Sequence, residues 1–206
     1  MFRSLLLLCV VTALDFTRRD LFTTLTLSTF SDVPKIPENV VMSHEDRSLY
    51  FYGSVTDESC FWLSHALEEM ATSSEPIHLH IQSTGGSLVP TFNVIDTIIR
   101  LQTPVYTYVD GFAASAASLI SVVGKKRFMG KHSLTLLHQL SSKSEGTYES
   151  MKDEMSNLNT YMEFVKEIYL EHSKLNATSL EGILSHDNRW LNSSTTLKYG
   201  LVDKII

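Results

Sequence analysis

From Arg47 onward, short apolar runs alternate with longer stretches in which apolar positions recur every three or four residues. That change of period predicts strands and helices in turn, and hence an α/β layered fold. Leu49, Tyr50, Phe51 and Tyr52 read as a strand closed by Gly53, and Thr56-Asp57-Glu58 opens a helix reaching about Met70. Residues 77–81 form a second strand. The helix expected over 88–101 sets Leu88, Phe92, Ile95 and Ile99 on one face, a stripe suited to the core. Residues 105–109, entered through Thr103-Pro104, make a third strand. The small and apolar run 113–123 predicts a buried helix stopped by Gly124, and Phe128-Met129 and residues 134–137 give two short strands.

After a polar excursion at 141–147, a long helix is expected over 148–172. Met151, Met155, Leu158, Met162, Val165 and Tyr169 form its stripe, and Tyr161, Phe164 and Ile168 widen the apolar surface beyond what a surface helix needs. Two readings of that excess stand. A partner subunit covers it, or the helix is buried within its own domain.

With 206 residues, 43% of them hydrophobic and 19% charged, the chain supports one folded domain and a short leader. A net charge of −6 without any Lys/Arg run argues against a nucleic-acid partner. Only Cys9 and Cys60 are present, so neither a disulfide framework nor a cysteine zinc site is expected, and Cys60 reads as a small buried apolar residue. The eight histidines lack HExxH or comparable spacing, so no metal is expected either. Arg3 and the apolar run 5–14 have the shape of a secretory signal, and about ten apolar residues fall short of the roughly 20 a membrane helix needs. Thr17-Arg18-Arg19-Asp20-Leu21 and the Ser/Thr/Leu/Phe stretch after it resemble a twin-arginine or bipartite plastid targeting peptide. A plastid or another signal-addressed compartment is the expected location, with the cytoplasm as the alternative if 1–36 is only a disordered tail. The chain thus divides into a leader and linker, 1–36, and a folded domain, 37–206.

Three segments carry candidate chemistry. Gln82-Ser83-Thr84-Gly85-Gly86-Ser87 follows the second strand, where paired glycines let the backbone approach a ligand and turn its N–H groups outward; a tight turn before a helix is the plainer alternative. Asp110-Gly111-Phe112-Ala113-Ala114-Ser115-Ala116-Ala117-Ser118 sets a serine among small residues at a helix start, where the helix dipole favours developing negative charge; alone, Ser115 would read as an N-cap. His138 closes the apolar run 134–137, a place where a structural histidine is common. Taken together, a glycine pair, a serine and a histidine at successive strand ends supply the oxyanion site, nucleophile and general base of acyl transfer.

These segments, with Leu136-Leu137-His138-Gln139-Leu140 and the closing Trp190-Leu191 and Leu197-Lys198-Tyr199-Gly200-Leu201-Val202-Asp203, resemble the ATP-dependent Clp protease proteolytic subunit family, ClpP, from about Arg47 to the end. The resemblance implies a ClpP/crotonase-like layered fold of repeated β-β-α units with a protruding long helix. It implies Ser115 as nucleophile, His138 as base, and backbone N–H groups of Gly86 and Ala116 as the oxyanion hole. It further implies polypeptide substrates, heptameric rings, homomeric or mixed, stacked in pairs, and an AAA+ Clp ATPase that spends the ATP. The chain itself has no GxxxxGK[ST] loop, and no cofactor is expected.

Three positions depart from the family pattern. The triad acid stands two residues before the aromatic, where this chain has Asn188. Asp187, one residue earlier, takes the role if the loop carries a one-residue insertion, the preferred reading because a carboxylate stabilises imidazolium better than an amide; Asn188 as an orienter with lower activity is the alternative. Thr84 replaces a proline before the glycine pair, and the stretch before Arg47 is short and atypical. A non-catalytic structural subunit of a mixed ring is therefore the second reading. An acyl-CoA hydratase on the same layered fold is a third, which would leave Ser115 and His138 unexplained. Asn176-Ala177-Thr178 and Asn192-Ser193-Ser194 match glycosylation sequons, which matter only in a secretory lumen.

Overall fold

The computed structural model describes residues 37–185 and 188–206. The expected leader and Asp187 lie outside them. The elements run β1 (Val40–Ser43), β2 (Ser48–Val55), α1 (Asp57–Met70), β3 (Ile77–Gly86), α2 (Leu88–Arg100), β4 (Val105–Ala114), α3 (Ala116–Val122), β5 (Lys126–Met129), β6 (Leu134–Leu137), α4 (Tyr148–His172), α5 (Ala177–Leu184), β7 (Arg189–Asn192), α6 (Ser193–Lys198) and β8 (Lys204–Ile205). The α/β fold expected from the change of period is the one found.

β1 pairs antiparallel with β2, and β2, β3, β4, β5 and β8 follow as parallel neighbours. β4 serves two partners. Its residues 106–109 pair with β5, and its residues 112–114 pair with β6, which pairs antiparallel with β7. The extra length of β4 past β5, still paired with β3 at Ala113, reaches the place where α3 begins.

Period-two alternation sorts the sheet into two faces. Phe51, Leu79, Ile81, Val105 and Val109 are buried in the core with residues of α1, α2 and α3. The reverse face carries half-buried rings in register: His80 stacks between Tyr50 (4.9 Å) and Tyr108 (4.6 Å), and Tyr108 stacks on Phe128 (4.8 Å). The Tyr52 hydroxyl donates to Asp110 Oδ2 at 2.8 Å, and His80 Nδ1 lies 2.7 Å from the same oxygen.

Several elements extend beyond their expected limits. β2 runs on through Gly53, which sits at a register shift with φ +136°. β3 continues through the glycine pair, since residues 85 and 86 still align with Ser54 and Val55 of β2. The expected helix over 113–123 starts only at Ala116, because Ala113 and Ala114 are held in strand β4 by pairing with Thr135 and Leu136. In α2 the buried face is Thr91, Val94, Ile95, Thr97 and Ile98. Of the expected stripe, Leu88 and Phe92 are partly buried and Ile99 is exposed, since the β-branched residues let either of two adjacent faces turn inward.

The long helix matches its expected span, and its exposure counts against burial within its own domain. Only Val165 and Tyr169 are buried among its described side chains, while Met151, Met155 and Phe164 are exposed. It is not buried within its own domain; its N-terminal part projects. Both sequon asparagines are helix N-caps: Asn176 accepts from Ser179 N and Asn192 from Thr195 N. No helix among the described residues is long and apolar enough to cross a membrane.

Candidate active site

Two strand ends meet where the candidate chemistry lies. Gly85 and Gly86 end β3 with φ of +84° and +152°. Neither position tolerates a side chain. A Cβ on Gly85 would come to 2.5 Å from the Ala114 carbonyl and 2.7 Å from Ser115 Cβ, and one on Gly86 would collide with the Val55 carbonyl. The glycine pair is therefore no turn but a stretch of strand, with Gly85 pressed against the start of α3 and Gly86 against β2.

Ser115 occupies the single position between β4 and α3. Its φ of +56° and ψ of −128° place a non-glycine residue in a costly region, a strain of about 1–3 kcal/mol. Its N–H donates to the Leu136 carbonyl at 2.9 Å, and its own carbonyl accepts from Ser118 N at 2.9 Å. Although it is the N-cap residue of α3, its hydroxyl makes no capping bond. The N-cap alternative thus accounts for its position and not for its side chain.

His138 follows β6 directly and is half-buried. Burial holds its pKa below the usual 6.5, so the imidazole is neutral at pH 7 and has a lone pair for a proton. Gly86, Ser115, Ala116 and His138 line one cavity of about 80 Å³, whose apolar wall includes Leu119 and Val165. Four of the five expected site residues are so brought together. No hydrogen bond joins Ser115 to His138 among the described residues; such bonds are often loose before substrate binds.

The fifth, Asp187, is outside the described residues. Its rival Asn188 is exposed. The β6–β7 register pairs Leu137 with Arg189 and Leu136 with Trp190. β7 begins at Arg189, so Asn188 immediately precedes that strand at its end beside His138. Trp190 also lies edge-on to Phe112, at 6.2 Å between ring centroids, so β7 flanks the strands leading to both Ser115 and His138.

The sequence reading passed over the polar group beneath the nucleophile. Ser118 Oγ lies 2.6 Å from the Ser115 carbonyl, 3.2 Å from the Leu136 carbonyl and 2.6 Å from the Tyr169 hydroxyl. Ser118 stood in the quoted motif and Tyr169 in the helix stripe, but nothing local links residues 51 apart. Elsewhere, burial pushes the Cys60 thiol up to about 11, leaving it unreactive at neutral pH. No cluster of three or more metal-ligating side chains occurs among the described residues.

A family model described as Clp protease matches residues 38–206. The chain is 32% identical over 149 residues to the ATP-dependent Clp protease proteolytic subunit 2 of Treponema pallidum (strain Nichols), covering 67% of this chain and 70% of the relative. It is 27% identical over 176 residues to the ATP-dependent Clp protease proteolytic subunit of Carsonella ruddii (strain PV), covering 78% and 90%. Against the subunit of the same name from Cyanophora paradoxa it is 29% identical over 171 residues, covering 81% and 88%. With that match running the length of the fold from β1 to β8, the chain belongs to the Clp protease family of peptidase subunits.

Proposed function

We propose that the chain is a serine endopeptidase subunit of a Clp-type chambered protease, cutting unfolded polypeptides to short peptides. Ser115 Oγ attacks the peptide carbonyl while His138 takes its proton, and His138 then returns that proton to the leaving amine. Water hydrolyses the resulting acyl-enzyme. Asp187 orients the imidazole, and the N–H groups of Gly86 and Ala116 receive the oxyanion, each worth about 3 kcal/mol in the transition state. The observation that carries this reading is the strained turn at Ser115, whose uncapped hydroxyl belongs to a residue sharing a cavity with His138 and Gly86.

Assembly into stacked heptameric rings fed by an AAA+ ATPase is part of the same reading. The projecting apolar surface of α4 and the aromatic reverse face of the sheet support it, since both leave large apolar groups for a neighbour to cover. Residues 1–36 would serve as the addressing segment, toward a plastid or a similar compartment, and 37–206 as the working domain. The chemistry requires no cofactor.

A structural subunit with weak or no activity is the second reading, favoured by the amide of Asn188 two residues before Trp190, where the family pattern has its acid. Fluorophosphonate treatment of the assembled full chain, read by intact mass beside Ser115→Ala, separates the two. A single adduct that vanishes in the variant is the expected result. An unlabelled wild-type oligomer would establish the structural role instead.

A further inference from the structure

Three backbone and hydroxyl groups behind the candidate nucleophile are tied by one side chain. Ser118 Oγ reaches the carbonyls of Ser115 and Leu136 and the hydroxyl of Tyr169. Carbonyls only accept, so the single Ser118 proton goes to them. Its lone pair must then take a proton from the phenol, which makes Tyr169 the donor. Burial of the phenol holds its pKa well above the ordinary tyrosine range, so the donor persists across any assay pH.

Both carbonyls belong to the site. One is that of Ser115 itself; the other accepts the Ser115 N–H and lies two residues before His138. The Ser115 residue is thus held through its N–H by Leu136 and through its carbonyl by both the N–H and hydroxyl of Ser118. A non-glycine residue at φ +56° persists only where its surroundings over-determine it.

Tyr169 brings in the long helix. It and Val165 are the buried residues among the described side chains of α4, so this end anchors a helix whose other end projects. Any shift of that anchor draws the phenol from Ser118.

We propose that Tyr169, acting through Ser118, is a positioning residue that holds the Ser115 backbone in its reactive conformation and makes that conformation depend on the seat of the long helix. The proposal rests on the serine-peptidase reading for its effect on rate. Its structural half, the link from phenol to nucleophile backbone, stands apart from activity.

The test uses the full chain as its assembled oligomer, with Tyr169→Phe, Ser118→Ala and the double variant. Active sites are titrated with a fluorophosphonate, the acylation rate is expressed per titrated site, and amide exchange is measured at Ser115. The expected result is full titration with an acylation rate about 10- to 100-fold lower per site and KM for a peptide nearly unchanged. The double variant should be no slower than Ser118→Ala alone, as one path predicts. Ser115 amide exchange should quicken in each.

A buried pair that only stabilises the fold would lower the fraction of titratable sites and leave the rate per site at the wild-type value. That outcome, or single effects that multiply in the double variant, overturns the proposal. Should Ser118→Ala fail to fold, Tyr169→Phe, which removes one oxygen, carries the test. If the wild type takes no probe, the peptidase reading fails, and unchanged Ser115 exchange in Tyr169→Phe would sink the link as well.

Discussion

At Ser115 the backbone turn and the neutral base opposite it set what a single proton transfer can do. Burial lowers the His138 pKa, so the base should stay competent below its usual 6.5, and the acid limb of kcat/KM should fall on the acid side of that value. The free-enzyme pH profile checks this. Because the folded imidazole gains its proton at lower pH than the unfolded one, His138 also withdraws stability as pH falls below about 6.5, so the profile needs a parallel stability measurement. The third member of the triad is a matter of one residue. Asp187→Asn should lower kcat by about 10⁴-fold if the carboxylate orients His138. Asn188→Asp should then change little; a large gain in Asn188→Asp, with Asp187→Asn near wild type, would give position 188 the role. Ser115 and His138 were legible in the sequence because each ends an apolar run within a few residues of chain. Ser118 and Tyr169 were not, since their partnership exists only once α4 is seated on α3.

Between elements, the decisive contact is the end of β3 against the start of α3. Gly85→Ala would force a Cβ against the Ala114 carbonyl and Ser115 Cβ at a left-handed φ. It should cost about 1–3 kcal/mol of stability and, by displacing the nucleophile, on the order of 100-fold in kcat. Gly182→Ala is the matched control: it sits in α5 with nothing near its Cβ and should raise stability by about 0.4–1 kcal/mol without touching rate. Thermal melts beside peptidase assays read both. Local propensity explains why these strand ends were misjudged. Glycine and alanine are poor strand formers, so Gly85, Gly86, Ala113 and Ala114 read as turn and helix, whereas pairing with β2 and β6 keeps them extended. The burial of α2 was blurred for another reason, since Val94, Ile95, Ile98 and Ile99 make two neighbouring faces apolar and only the packing selects one.

For the molecule as a whole, the projecting helix and the aromatic face make association a surface property separable from folding. Met151→Glu with Met155→Glu should shift the assembled species to smaller mass in native mass spectrometry while moving the stability of the folded chain by no more than about 0.5 kcal/mol per site. Retention of the large species would assign those methionines to solvent. The span of this helix was readable from its stripe, yet its exposure was not, because an apolar stripe does not say whether a core or a neighbour meets it. The two tryptophans of the chain differ in a way that bears on how it can be watched. Trp62 keeps its indole N–H buried in α1, whereas Trp190 is 44% exposed, opposite Leu136 and against Phe112. A Trp62→Phe chain therefore carries a single tryptophan, beside the strands that lead to the nucleophile and the base. Its emission colour follows how wet that ring is, so a polypeptide settling over the site would announce itself as a blue shift, in real time and without an added dye.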